Sequence, residues 1–163
     1  MTRADLFATA MCKELKEFGG KWDRPKPQKA QHECVDIEGE IDGRKVLIEV
    51  ELRRIAPLAN MVKIWSAISK EADKNKYKNA IVFQAFSAFY PKNGTQRTNA
   101  EFVGEAMAKA CGIEYIPRSM EYKPAKRTAS APVMKGAGRC CFHARKLAAE
   151  VIRILKAKRR RKR

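Results

Sequence analysis

An α/β sandwich built on a mixed sheet is the fold class this sequence predicts. Three observations lead there. Helical and strand patterns alternate along the chain. Asp42-Gly43 sits between two segments of alternating apolar and polar residues. Residues 79–87 form the near-continuous apolar run of a strand buried on both faces. An antiparallel hairpin followed by parallel crossovers makes the sheet mixed. A length of 163 residues predicts one domain, large enough to bury about 70% of its unfolded surface. An apolar content of 45% excludes wholesale disorder.

The elements follow in order. Residues 4–18 form a predicted helix, because Phe7, Met11, Leu15 and Phe18 recur at helical spacing and Gly19-Gly20 stops the run. Residues 21–31 are polar and carry Pro25 and Pro27, which suits a loop or an irregular strand. Residues 33–41 and 44–52 alternate on either side of Asp42-Gly43, the strongest short-range hairpin signal. Pro57 fits the first turn of a second helix, with Leu58, Met61, Val62, Trp65, Ile68 and Ala72 as its expected apolar stripe. After the strand at 79–87, Thr98-Asn-Ala-Glu101 matches a capping box for a third helix. Phe102, Val103, Met107 and Cys111 are expected inward, with Gly112 at its end. Residues 113–117 form a last short strand. Pro124, Pro132, Gly136 and Gly138 mark 123–138 as a linker. A final helix, about 140–157, carries Leu147, Val151, Ile154 and Leu155. The expected organisation is an α/β core at 1–122, the linker at 123–138, and a basic helix with its tail at 139–163.

Charge narrows the function. The chain has 35 Lys+Arg against 18 Asp+Glu, a formal net charge of +17. Seven of the last eight residues are basic: Lys156, Lys158, Arg159, Arg160, Arg161, Lys162 and Arg163. Without them the body is still basic. A cationic body with a cationic tail points to a polyanion, most often nucleic acid, DNA or RNA. The plainer alternatives are a solvated tail or a nuclear localisation run. The five cysteines are odd in number and irregularly spaced, as free thiols are. No signal-peptide pattern opens the sequence and no apolar run approaches the roughly 20 residues of a membrane span. The expectation is an intracellular protein, in cytoplasm or nucleoid, or nucleus, with no membrane partner.

The hairpin carries the chemistry. With Asp42 and Gly43 as a two-residue loop, Ile41 pairs with Arg44, and the register puts Asp36 opposite Glu49. Alternation adds Glu51, Glu38 and Glu40 to that face, and Val35, Ile37, Ile41, Val46, Ile48, Val50 and Leu52 to the other. Opposed like charges destabilise a sheet unless a cation neutralises them. Hard divalent ions take one or two carboxylates plus waters and phosphate oxygens, the arrangement that phosphodiester hydrolysis uses. The alternative is an acidic, solvated outer face. In the first helix Glu14 falls inside the apolar stripe, where a carboxylate is costly unless paired or bound to metal. It either reaches out to a cation such as Lys or points over the hairpin toward Asp36 and Glu49.

A helix with a Glu, then Val35-Asp36-Ile37-Glu38-Gly39, then Val46-Leu47-Ile48-Glu49-Val50-Glu51-Leu52, then a helix and an apolar strand, resembles the PD-(D/E)XK nuclease superfamily over residues 4–117. Restriction endonucleases and Holliday-junction resolvases belong to it. The resemblance implies a restriction-endonuclease-like αβββαβ-type sandwich, here with a basic C-terminal helix, and a metal-dependent DNA endonuclease using Mg²⁺ or Mn²⁺. Asp36 and Glu49 would be its metal-binding acids and Glu14 the helix glutamate of some members. Glu51 stands where the superfamily usually has lysine. Some restriction enzymes keep a glutamate there; in other members the lysine's role moves to a neighbouring element. Lys45 shares the parity of Glu49. Lys63 and Asn60 are expected opposite the centre of the second helix's stripe, and Arg53, followed by Arg54, extends the strand. The same departure fits a non-catalytic DNA- or RNA-binding relative. Symmetric cutting of both strands would call for a homodimer.

Other chemistry is weakly signalled. His32 and His143 lack partners at metal-ligand spacing, Cys140-Cys141 has no second cysteine pair, and no phosphate loop is present. Gln84 is either a phosphate or water ligand or the partner of a backbone group. Trp22 is either an exposed nucleic-acid contact or a lid on the first helix.

Overall fold

The computed structural model describes residues 2–25, 35–52, 56–73, 75–124 and 137–160. It is an α/β fold of five strands and four helices among these residues. Helix α1 (Arg3–Glu17) starts from a capping box: the Asp5 N–H donates to Thr2 Oγ1 at 3.1 Å, and the Thr2 N–H donates to Asp5 Oδ2 at 2.8 Å. The Thr2 hydroxyl and N–H, then Arg24 at 3.1 Å, hold the Asp5 carboxyl down at about 2. A depressed carboxyl contributes stability above its unfolded value, about 3.9, and loses it as pH falls through the folded value. The side chain is 41% exposed, so screening limits the contribution to about 1 kcal/mol or less. Asp5→Asn should therefore cost up to about 1 kcal/mol in urea unfolding at pH 7. The gap to the parent should close as pH drops from about 4 to about 2.

The sheet runs β1 (Lys21–Asp23), β2 (Ile37–Ile41), β3 (Arg44–Glu51), β4 (Ile81–Phe86) and β5 (Glu114–Ser119), neighbours in that order. The first three strands form an antiparallel meander, and β3, β4 and β5 are parallel. Helices α2 (Pro57–Lys70) and α3 (Thr95–Cys111) make the two crossovers, and α4 (Ala137–Arg160) closes the chain. Asp42 and Gly43 have φ of 51° and 73°, the doubly left-handed geometry of a primed hairpin turn, which Gly adopts without strain and Asp tolerates. The turn fixes the register from Ile41–Arg44 to Ile37–Ile48, as its two-residue length requires.

Alternation sorts each strand between two apolar layers. Ile37, Val46, Ile48, Val50, Ile81, Phe83 and Ile116 pack under α1 and α4. Leu47, Val82 and Phe86 pack under α2 and α3. Helix α4 is thus a full layer of the core: Ala144, Leu147, Val151 and Leu155 join α1's Phe7, Met11 and Leu15. No described helix is long and apolar enough to cross a membrane.

Several expectations are corrected. Val35 joins the α2/α3 layer, since β2 begins only at Ile37 and alternation does not extend before it. Helix α2 buries Pro57, Asn60, Met61, Ile64 and Ile68, leaving Leu58 and Val62 exposed, and it ends before Ala72. Helix α3 begins at Thr95 behind an N-cap Gly94, so Thr98 lies within its first turns and Glu101 pairs with Arg97 rather than capping. Phe102 is 72% exposed, whereas Met107 is buried as expected, with Val103 and Cys111 partly buried beside its cluster; Arg97, Ala100 and Gly104 also face inward. A short edge strand occupies 21–23, and there Trp22 lies against Gly39, buried in the α1 layer, as a lid and not an exposed contact. Most of the expected linker, residues 125–136, lies outside the described residues.

Candidate functional site

Glu49 and Glu51 lie near the C-terminal end of β3, on the α2/α3 face, and Asp36 comes just before the start of β2. Glu49 is level with Gln84 of β4, and Glu51 with Phe86. At Asp36 the antiparallel ladder ends. The Asp36 N–H still donates to the Ile48 carbonyl at 3.1 Å, but the next ladder position on β3 is taken by the side chain: the Val50 N–H donates to Asp36 Oδ2 at 2.9 Å. An aspartate here is both an acidic group and a substitute for a backbone carbonyl. The bond pins its carboxylate against the peptide that joins Glu49 to Val50. Glu49 is 5% exposed and Glu51 is fully enclosed.

Amide donors surround Glu51. Asn60 Nδ2 of α2 lies 3.0 and 3.2 Å from its two oxygens, and Gln84 Nε2 donates to Oε1 at 2.9 Å. The same Gln84 nitrogen reaches the Pro57 carbonyl at 3.2 Å, and the Tyr115 hydroxyl donates to Gln84 Oε1 at 2.7 Å. Tyr115 thereby fixes which end of the Gln84 amide faces Glu51. Burial pushes the Tyr115 phenol well up, with Glu101 adding to the shift and Arg97 opposing it, so its hydroxyl stays a donor through the neutral range. Beside this chain the Arg97 side chain is buried, 4.7 Å above the Phe86 ring, bonded to Glu101 Oε1 and Ser119 Oγ at 2.7 Å each.

Gly104 admits Tyr115 to this position. A Cβ on Gly104 would lie 2.4 Å from Cε2 and Cζ of the Tyr115 ring. Gly104→Ala gains about 1 kcal/mol of helix propensity but meets an overpacking cost of about 1–3 kcal/mol and pushes the ring away from Gln84. The expected net result is a melting temperature lower by several degrees in calorimetry; a rise would show that the ring yields freely.

The structure scatters the other sequence candidates. Glu14 pairs with Arg145 of α4 at 2.7 Å, on the helix layer opposite the carboxylate face. Its partner is a cation 131 residues away in sequence, so the stripe position signalled a pairing and not a site. Lys45 is held by Glu38 at 3.2 Å and Glu40 at 3.9 Å, four residues along β3 from Glu49, which is about 13 Å of strand. Lys63 is exposed on α2, one turn beyond Asn60. Asn60, expected away from the apolar stripe, is buried against Glu51. Arg53, Arg54, Arg161, Lys162 and Arg163 lie outside the described residues. Arg159 and Arg160 end α4; Lys156 is exposed over the Phe18 ring and Lys158 bonds Glu114. Sequence reasoning missed the pairing of Asn60 and Tyr115 with this site. A polar residue three positions after the helix-opening Pro57, in line with Ile64, was the available signal for Asn60.

Among the described residues no group of three or more His, Cys, Asp or Glu side chains forms a ready metal cage. The acidic side chains near this end of β3, Asp36, Glu49 and Glu51, offer only oxygen. Neither a family model nor a curated protein matches this chain.

Proposed function

We propose that this chain is a Mg²⁺- or Mn²⁺-dependent deoxyribonuclease on a restriction-endonuclease-like core. The observation that carries the reading is the Asp36 carboxylate pinned to the Val50 N–H, beside Glu49, where β2 and β3 part. The element order supports it: a helix, a three-stranded antiparallel meander, a helix and a strand parallel to the third is the αβββαβ order the resemblance implies. The half-buried Asp36 and the Glu49 carboxylate of β3 are the acidic ligands that would suit a hard cation, which takes one or two carboxylates with waters and phosphate oxygens. The bound ion would polarise the phosphodiester and lower the pKa of an attacking water.

The chain's own residues divide the work. Asp36 and Glu49 hold the cation. Glu51, gripped by Asn60 and Gln84, ties the start of α2 to the strand ends and so positions the ligands. Lys63, exposed one turn after Asn60, supplies the positive charge that the superfamily's lysine provides. Glu14 and Lys45 drop out of the site because each is committed to a distant ion pair. Symmetric double-strand cutting would need a second copy of the chain. One observation favours a different reading: Glu51 is engaged by amides at the position of the usual lysine, which also fits a non-catalytic nucleic-acid-binding protein on the same scaffold.

A cleavage panel decides between them. Linear duplex, flapped, four-way-junction and RNA substrates are incubated with Mg²⁺ or with EDTA. Cutting of a DNA substrate only in Mg²⁺ is the expected result. Tight binding with no cutting of any substrate would replace it with the non-catalytic reading.

A further inference from the structure

Helix α4 is fixed on three sides. Cys140, Ala144, Leu147, Val151 and Leu155 face the core. On one flank Glu150 meets Arg118 of β5 at 3.3 Å, and on the other Arg145 meets Glu14 of α1 at 2.7 Å. The side between these flanks faces outward and carries Arg139, Phe142, Lys146, Arg153 and Lys156, all exposed. At 3.6 residues per turn, each of the four cations lies within about 60° of Phe142 around the helix. The one acid of α4, Glu150, is turned away to Arg118.

A row of one sign is costly for an isolated helix. Arg153 and Lys156, three residues apart, repel each other. Neither Arg139 nor Arg153 has a hydrogen-bond or ion-pair partner among the described residues. Lys146 meets Glu121 at 3.0 Å, but the two side chains are 61% and 80% exposed, so water screens the pair and another anion can take its place. Phe142 stands in the middle of the row and is 63% exposed. Its ring meets that of His143 at a near-right angle, with 5.4 Å between centroids.

An exposed aromatic ring among cations is the combination that holds a single strand: a base stacks on the ring, and the cations take the phosphates on either side. A duplex offers the same phosphates but keeps its bases stacked on one another. Arg153 lies fourteen residues beyond Arg139, about 21 Å along the helix, which spans several phosphates of one strand.

We propose that the outward face of α4 binds single-stranded nucleic acid, with a base on Phe142 and backbone phosphates on Arg139, Lys146 and Arg153. The proposal rests on the nucleic-acid reading above and narrows its substrate to one with an unpaired segment. The face lies on the α1/α4 side of the sheet and Glu49 on the α2/α3 side, so binding is measured apart from cutting.

Fluorescence anisotropy in EDTA reads the binding of labelled single strands and duplexes of about 20 nucleotides to the full chain. The parent should bind the single strand. Phe142→Ala should weaken single-strand binding at least about fivefold and duplex binding less than about twofold. Arg139→Gln combined with Arg153→Gln should weaken single-strand binding at least about tenfold and flatten the slope of log affinity against log salt by about 1.4, for two phosphate contacts. Circular dichroism melting of each variant should match the parent, since the replaced side chains are exposed.

No single-strand binding by the parent, equal losses on single strand and duplex for Phe142→Ala, or an unchanged salt slope in the double variant would overturn the proposal. So would binding to vesicles of phosphatidylcholine and phosphatidylserine that the double variant loses while it keeps the oligonucleotide, which would assign the face to a lipid surface. Single-strand binding with the expected losses, but no cutting in Mg²⁺, sinks the nuclease reading alone. Cutting in Mg²⁺ by variants that bind the single strand as the parent does sinks this proposal alone.

Discussion

Glu49→Ala is expected to slow Mg²⁺-dependent nicking of plasmid DNA by at least about a hundredfold, roughly 2.7 kcal/mol of lost transition-state stabilisation. Circular dichroism should show the variant folded, so that the lost rate reads the missing ligand and not a lost fold. Asp36→Ala should fail at least as severely, with an added cost in stability. Its carboxylate serves the Val50 N–H, and a buried donor left without a partner costs about 1–3 kcal/mol. The double variant should be little worse than either single one, since the two residues act on one ion and their effects are not additive. Nicking at the parental rate by both purified single variants would remove these residues from the site.

Glu51→Ala carries the largest expected loss of stability. The glutamate is fully enclosed, and removing it takes the acceptor from an Asn60 N–H and from one Gln84 N–H, whose nitrogen still reaches the Pro57 carbonyl, while leaving a cavity. Each N–H left without its acceptor costs about 1–3 kcal/mol and the cavity adds to that, so a total of about 3–5 kcal/mol is expected. That is a large share of the roughly 5–15 kcal/mol that holds such a domain together. Glu51→Gln keeps the volume and one acceptor oxygen and should cost less than half as much. Urea unfolding monitored by circular dichroism reads both. Equal midpoints for Glu51→Ala and the parent would show that the carboxylate does not anchor α2.

What the sequence made legible was local or periodic. Asp42-Gly43 dictates a two-residue turn, the turn dictates the register from Ile41–Arg44 to Ile37–Ile48, and alternation along β3 places Glu49 and Glu51 on one face; the expected direct pairing of Asp36 with Glu49 is not part of that ladder, which ends at Ile37. What stayed hidden depends on partners distant in sequence. Asn60 is polar, so a search for an apolar stripe rotates α2 toward Leu58 and Val62. The helix in fact turns Asn60 inward because Glu51 is there to receive it. Glu14 looks like a misplaced carboxylate until Arg145 arrives from α4. Thr98 and Glu101 have the spacing of a capping box, yet Arg97 claims the glutamate and α3 starts one turn earlier. The direction of α4 along β5 follows only from distant ion pairs such as Glu150 with Arg118, which no local pattern encodes.

The most direct test of the central claim is a Mn²⁺ titration followed by electron paramagnetic resonance, in which only free Mn²⁺ gives the full aqueous signal. The parent chain should remove one Mn²⁺ per chain from solution. Asp36→Asn and Glu49→Gln, each close in shape to the residue replaced, should each weaken that binding at least tenfold. Binding of equal strength in the parent and both variants, or none in the parent even with DNA present, would contradict the account.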